Sequence, residues 1–311
     1  MEYIEEIRQF KEQIKFSEDK KFDVNLESFK NIVISGMGGS GIVGNIVKDL
    51  YSNKPVVVIN DYNIPNFVDN STLFVAVSYS GNTEETISST EQAIKKGAKV
   101  LAITSGGKLK EIVKDSIIIP SSFQPRAALG YMAIPILNTL GVSDKNQLNE
   151  LYELLSELDS NHDEFDNIAK EIFEGKKIPV IYGVPPYFSV SYRWKTQFNE
   201  NAKVIAYSSN FSELNHNDTM ALKETYRKRL FYFICLHDGL DQRIEKRISI
   251  TQNLTKVNFK LIKAKGSTFF VREFYLIHVG DWVTYSLALL RNKDPENVRL
   301  IEKLKKELEK S

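Results

Sequence analysis

Several residue types and patterns that mark whole classes of protein are scarce in this chain. There is one cysteine in 311 residues, Cys235, so no disulfide can form within the chain. A buried thiol and a reducing, cytoplasmic setting are expected. Lysine and arginine total 41 against 40 aspartates and glutamates. This balance predicts no nucleic-acid partner and no attraction to acidic membranes. No apolar run approaches the length of a membrane-spanning helix.

Histidine is also scarce, which bears on metal binding. The four histidines are widely separated, and none has a ligand partner at a recognised spacing: His162, His216, His237 and His278. The sequence therefore predicts no metal site and no cofactor of any other kind.

The length and composition are those of a globular protein with two domains. Apolar residues make up 42% of the chain and charged residues 26%, and 311 residues correspond to about two domains of ordinary size. The strand–turn–helix pattern of the first half is repeated in the second. We predict a first domain over residues 1–145 and a second over residues 146–311.

Short apolar runs alternate with helical patterns along both halves. This alternation predicts an α/β fold whose mostly parallel sheets are covered by helices on both faces. Ile4, Ile7, Phe10 and Ile14 have helical spacing and should dock on the first domain. The predicted strands are Asn31–Ser35, Val56–Ile59, Leu73–Val77, Val100–Thr104, Ser116–Ile119, Ile178–Gly183, Lys203–Tyr207, Arg229–Leu236 and Val257–Ala264.

A hydroxyl-rich turn follows the predicted strand Leu73–Val77. Ser78, Ser80 and Thr83 surround Gly81, and a helix should begin directly afterwards. Hydroxyls and free backbone N–H groups at a helix start bind anions, and the absence of lysine and arginine suits a monoester phosphate. The alternative is ordinary helix capping.

A glycine-rich turn, Gly36–Gly41, follows the first predicted strand. Gly38, Gly39 and Ser40 can bring the backbone close to a ligand. The spacing also fits a dinucleotide fingerprint with Asp61 as its acid, an interpretation ranked second because it leaves the hydroxyl turn without a role. A tight packing turn between strand and helix is the third alternative.

Three charged or titratable residues stand in unusual contexts. Arg126 precedes an apolar helix with no acid nearby in sequence, so a ligand anion is favoured over a carboxylate partner.

Glu200 should end a helix, where a carboxylate opposes the helix dipole; a salt bridge to Lys203 is the ordinary alternative. His216 lies in a polar loop between Asn215 and Asn217, which can fix its tautomer. Glu200 and His216 could supply a base and a second proton-transfer group.

Five motifs together resemble the sugar isomerase (SIS) family, and within it the bifunctional phosphoglucose/phosphomannose isomerases. They span most of the chain in the family's order: GMGGSG at Gly36–Gly41, SYSGNTEET at Ser78–Thr86, PRAALGY at Pro125–Tyr131, NENAK at Asn199–Lys203 and ELNHN at Glu213–Asn217. The resemblance implies two SIS-type α/β/α domains and interconversion of glucose 6-phosphate and mannose 6-phosphate with fructose 6-phosphate through a cis-enediolate.

The resemblance also implies a role for each matched residue. Glu200 would move the proton between C1 and C2, Arg126 would assist, and His216 would open the sugar ring from the partner subunit of a homodimer. Lys305 resembles the family's lysine in the last helix, although Lys303 competes for that role. The sugar phosphate would bind to Gly38, Gly39, Ser40, Ser78, Ser80 and Thr83.

Two other functions remain open from the sequence. A sugar-phosphate-sensing binding protein would keep the cradle and Arg126 but would not need Glu200 or His216. The other is a different phosphosugar isomerase, such as one for heptose or amino-sugar phosphates, although the usual domain arrangements of these do not match two halves in 311 residues.

Overall fold

A computed structural model describes residues 2–308 of the chain. These residues divide into two compact units. The first comprises residues 2–159, Pro186–Ser189 and Lys265–Tyr275, and the second comprises Ser160–Pro185, Val190–Ala264 and residues 276–308. The domain boundary between residues 145 and 146 stays a prediction.

The first unit is built on a five-stranded sheet in which every strand pairs in parallel. The strand order is β2-β1-β3-β4-β5. Parallel strands need crossover connections, and helices supply most of them here. The strands are β1 (Asn31–Ser35), β2 (Val56–Ile59), β3 (Thr72–Val77), β4 (Lys99–Thr104) and β5 (Ser116–Ile118).

Helices accompany this sheet from the start of the chain. Ile7, Phe10 and Ile14 are buried, which confirms that the N-terminal helices dock. One core cluster contains Val33 and Phe74 from adjacent strands. The helices up to Ser160 are α1 (Tyr3–Arg8), α2 (Phe10–Ser17), α3 (Gly38–Leu50), α4 (Glu84–Lys95), α5 (Gly107–Ile112), α6 (Leu129–Thr139) and α7 (Lys145–Ser160).

The second unit is built on a four-stranded parallel sheet. Its order is β7-β6-β8-β9, formed by β6 (Ile178–Gly183), β7 (Tyr207–Asn210), β8 (Phe231–His237) and β9 (Lys260–Lys263). Strand β8, one of the two inner strands, contains the buried Cys235, and burial raises the pKa of its thiol. Two parallel sheets flanked by helices confirm the predicted α/β class.

The later helices follow the same alternation of strand and helix. Two of them, α9 and α13, begin in ranges of the first unit and continue in ranges of the second. They are α8 (Asp163–Glu174), α9 (Phe188–Glu200), α10 (Phe211–Leu214), α11 (Asp218–Glu224), α12 (Gln242–Thr255), α13 (Phe269–Leu290) and α14 (Arg299–Leu308). Among residues 2–308, no helix combines the length and apolar character needed to cross a membrane.

Several predicted elements begin later in the chain than expected, among them β8 at Phe231 rather than Arg229 and β9 at Lys260 rather than Val257. The strand expected over Lys203–Tyr207 begins only at Tyr207, because Lys203 has a φ of 56° and turns the chain immediately after α9. The helix expected from Arg126 begins at Leu129, because the preceding residues form a turn in which the Ala127 N–H donates to the Gln124 carbonyl at 2.8 Å.

Candidate active site

The two motif turns of the first unit lie at the same edge of the sheet. β1 and β3 are neighbours, with Ser35 in register with Ala76. From β1 the chain passes through α3 to β2 on one side, whereas β3 leads through α4 to β4 on the other side. Such a reversal opens a crevice at the carboxyl ends of the strands, the usual ligand position in open α/β sheets.

The glycine-rich turn places main-chain atoms without side chains at this crevice. Gly38 has a φ of 53°, a conformation that favours glycine. A Cβ added to Gly39 would stand 2.9 Å from Cα of Arg126, so this position requires close approach of two backbones. Among the described residues, no side chain caps α3 at Met37. The turn therefore presents helix-start N–H groups beside the Arg126 segment.

The hydroxyl-rich turn is shaped by its own side chains. The Ser78 and Thr83 hydroxyls are 2.9 Å apart, and the Gly81 N–H donates to Ser78 Oγ at 3.1 Å. Gly81 has a φ of 71°, and a Cβ there would collide with the Gly106 carbonyl. Thr83 is the N-cap residue of α4, but its side chain makes no capping bond within the described residues. A second helix start is thus open to an anion.

The structure separates the predicted hydroxyls into two kinds. Ser40 is buried and its Oγ accepts from the Tyr79 N–H at 3.2 Å, which ties the two turns together. Ser78 is fully buried. Ser80 is exposed and accepts only from the Asn82 N–H, at 3.3 Å, so within the described residues its proton has no acceptor. Ser80 is therefore the hydroxyl best able to donate to a ligand.

Arg126 is buried where its main chain meets Gly39. Its guanidinium lies 4.9 Å from the centroid of the Tyr3 ring, and Nη1 donates to Gln124 Oε1 at 3.4 Å. The Gln124 N–H in turn donates to Glu6 Oε2 at 3.0 Å. The arginine is thus oriented by an aromatic face and by a segment that a buried carboxylate fixes.

Sequence reasoning missed the residue that positions this segment. Gln13 of α2 is fully buried, donates to the Ala127 carbonyl at 2.7 Å and accepts from the Gly130 N–H at 2.9 Å. The signal was present in the sequence, because Gln13 lies beside Ile14 on the apolar face of α2. A buried amide in that position needs hydrogen-bond partners.

In the second unit, Glu200 is the last residue of α9 and lines a groove of about 1160 Å³. Lys203 Nζ donates to the main-chain carbonyl of Glu200, which satisfies an acceptor at the helix end. The groove is otherwise lined mainly by the chain after α9 and by residues from Asn292 to Ile301. Glu200 is half-buried, so a ligand in this groove would reach it.

His216 is exposed on the turn between α10 and α11. The expectation that flanking asparagines fix its tautomer was wrong. Asn217 bonds to Glu213 and to the Asp218 N–H, whereas Asn215 Nδ2 donates to Thr251 Oγ1 at 2.8 Å. These bonds hold the backbone of the turn and leave the imidazole presented to solvent.

The turn is held from a second direction by β6. The Tyr182 hydroxyl donates to Asp218 Oδ2 at 3.2 Å. Burial and the neighbouring carboxylate raise the pKa of Tyr182, so the phenol keeps its proton.

The two candidate lysines of the last helix do not line the groove that contains Glu200. Lys303 and Lys305 are both exposed on α14, and neither is among the described residues that line the groove. Within residues 2–308, no group of three or more histidine, cysteine, aspartate or glutamate side chains could hold a metal ion.

Comparisons with known proteins identify a family for both halves of the chain. Residues 25–128 match the SIS domain, and residues 161–308 match the bacterial phospho-glucose isomerase C-terminal SIS domain. A bifunctional phosphoglucose/phosphomannose isomerase of Thermoplasma acidophilum is 57% identical over 99% of this chain and 98% of its own. The chain belongs to the bifunctional phosphoglucose/phosphomannose isomerase family. An Aquifex aeolicus protein of the same name is 40% identical, with 92% of each chain covered.

Proteins named for other reactions are more distantly similar to this chain. A D-glucosamine-6-phosphate 4-epimerase of Sulfolobus acidocaldarius is 27% identical over 90% of each chain. The C-terminal domain of a glucosamine-fructose-6-phosphate aminotransferase from Francisella tularensis superposes with a TM-score of 0.71 at 17% identity, covering 96% of this chain and 98% of that domain. At this identity the likeness shows the fold alone.

Proposed function

We propose that this protein reversibly isomerises glucose 6-phosphate and mannose 6-phosphate to fructose 6-phosphate. The observation that carries the proposal is family membership over nearly the whole chain, with relatives of that name 57% and 40% identical. The uncapped N-termini of α3 and α4, which follow β1 and β3, agree with this proposal because they suit the phosphate group that all three sugars share.

The phosphate is proposed to bind at the crevice between the two motif turns. Backbone N–H groups at the starts of α3 and α4 would donate to it, together with the hydroxyls of Ser80 and Thr83. Ser40 and Ser78, being buried, would act by holding the turns in position. Binding energy gained at the phosphate positions C1 and C2 for the chemical step.

Glu200 is proposed as the base that moves a proton between C1 and C2. The proton leaves the carbon next to the carbonyl, a cis-enediolate forms, and reprotonation at the other carbon gives the isomer. Arg126 is proposed to stabilise the negative oxygens of the enediolate. Rotation about C2–C3 before reprotonation would allow one base to serve both C2 epimers.

His216 is proposed to open the sugar ring, and to do so in the site of a partner subunit. Its exposure on a firmly held turn supports this, because the side chain projects from a fixed backbone into solvent. The proposed assembly is therefore a homodimer. Lys305 is proposed as an additional substrate contact, with Lys303 as its competitor on α14.

The test is to incubate the purified protein with fructose 6-phosphate in deuterated water and to identify the products by NMR. Glucose 6-phosphate and mannose 6-phosphate carrying deuterium at C2 are expected, because an enediolate exchanges its proton with solvent. Glu200→Gln should abolish both products, whereas Glu174→Gln, an exposed acid of the same unit, should not. Glucosamine 6-phosphate is included as a substrate, and its epimerisation without hexose isomerisation would contradict the proposal.

A further inference from the structure

A second cavity of the second unit has an unusual charge. It measures about 290 Å³, close to the lower end of the range of about 300–1,000 Å³ for small-molecule sites. Three cations line it and no acid does. The lining residues are Asn215, Thr219, Arg243, Lys246, Arg247, Ile250, Thr251 and Leu254.

The three cations are crowded on one face of α12. Arg243 stands three residues before Lys246 and four before Arg247, spacings at which like charges destabilise a helix. Within residues 2–308, none of the three forms an ion pair. Exposed cations elsewhere do find acids, as Lys99 does with Asp115 and Lys108 with Glu91. The three cations that line the cavity are thus not neutralised by a direct ion pair within the described residues.

Arg247 brings an oriented guanidinium to this cavity. Its Nη1 donates to Asn215 Oδ1 at 3.1 Å, which holds the guanidinium at the cavity wall, whereas the hydroxyls of Thr219 and Thr251 already donate to main-chain carbonyls. A planar guanidinium with further donors suits phosphate oxygens. We propose that this cavity binds a phosphate-bearing small molecule, at a site separate from the crevice of the first unit.

Arg247 links this site to the turn that carries His216. The guanidinium that would meet the anion is the group that holds Asn215, the residue before His216. An anion that draws Arg247 away from Asn215 would loosen the turn. If His216 opens the sugar ring as proposed, occupancy of the α12 site should lower kcat. Competition at the crevice should instead raise KM alone.

The site can be tested with pyrophosphate as the probe. Isothermal titration of a Ser80→Ala, Thr83→Ala background, in which the crevice is weakened, should show saturable binding. Adding Arg243→Gln and Lys246→Gln should weaken that binding at least about tenfold. Lys256→Gln, an exposed cation just after α12, is the matched control and should leave it unchanged.

Two results would overturn the site itself, and neither depends on catalysis. They are the absence of saturable pyrophosphate binding, and binding that survives the Arg243→Gln, Lys246→Gln change. In the wild-type enzyme, pyrophosphate is expected to lower kcat in addition to raising KM. Inhibition that is purely competitive would refute the link to His216.

Discussion

Replacing Asp49 by asparagine is expected to stabilise the protein at neutral and alkaline pH. Asp49 is half-buried near the end of α3, where its Oδ2 accepts from the Ser189 N–H at 2.7 Å. The Ser189 hydroxyl donates to Glu273, which is fully buried and has one carboxyl oxygen without a partner among the described residues. One serine therefore joins two partly or fully desolvated acids.

Desolvation raises the pKa of Asp49 from 3.8 to about 6, although the hydrogen bonds from Ser189 and the nearby Lys48 oppose this. Burial and the Asp49 charge also raise the pKa of Glu273. When the pKa of an acid is higher in the folded than in the unfolded protein, its contribution to the free energy of unfolding is complete below the unfolded pKa. That stability is lost as pH rises through the folded pKa. The change from 3.8 to about 6 corresponds to about 3 kcal/mol.

The wild-type protein should therefore lose about 3 kcal/mol of stability through Asp49 between about pH 4 and pH 7. The asparagine side chain of the Asp49→Asn variant cannot ionise, yet its carbonyl oxygen can still accept from the Ser189 N–H. The variant should match the wild type near pH 4 and exceed its free energy of unfolding at pH 8. Because burial also raises the pKa of Glu273, some loss of stability with rising pH should remain in the variant.

Urea unfolding at a series of pH values measures this difference directly. Asp115→Asn is the control, because Asp115 is exposed and pairs with Lys99. The reasoning would be refuted if the Asp49→Asn variant were less stable than the wild type at pH 8 and this deficit were larger than at pH 4. That result would mean that the charged form of Asp49, bound at the start of α9, is the stabilising one.

Three further results are expected. Ser80→Ala should raise KM about tenfold to a hundredfold with little change in kcat, since a hydrogen bond to a charged group contributes about 1.5–3 kcal/mol. Ser88→Ala on α4 should leave KM unchanged, and an unchanged KM in Ser80→Ala would count against the cradle. EDTA should leave activity intact, and a loss that zinc restores would reveal a metal site. Mixing Glu200→Gln with His216→Ala subunits should recover activity if His216 acts across a dimer interface; no recovery despite subunit exchange would argue against a shared site.

Local patterns allowed much of the first unit to be predicted from sequence. The segment from Thr72 to Glu84 is a strand, a turn and a helix start in direct succession, so its residue types report its structure. Residue type could not distinguish Ser78 from Ser80, however. Ser78 is buried and bonds to Thr83 and Gly81, whereas Ser80 faces solvent. That difference arises from the geometry of the turn.

The errors and omissions have a common origin in non-local or backbone effects. The run from Lys203 to Tyr207 has strand-like side chains, but the positive φ of Lys203 overrides them. The position of Arg126 against Gly39 depends on packing between segments 87 residues apart in sequence. The contact of Gln13 with Gly130 is likewise long-range. The sequence could show that Gln13 lies on the apolar face of α2 and needs a partner, but no periodic pattern could identify the partner in either contact.

The two proposed anion sites should differ in their response to salt. The crevice offers backbone N–H groups and hydroxyls without a lysine or arginine in either motif turn, so its binding rests mainly on directed short-range hydrogen bonds. The α12 cavity relies on three cations, two of them exposed, and exposed charges are screened over about 8–10 Å near physiological salt. Raising sodium chloride should therefore weaken pyrophosphate binding at α12 much more than it raises KM for fructose 6-phosphate. Equal salt dependence at both sites would indicate that long-range charge, rather than the neutral cradle, dominates phosphate binding in the crevice.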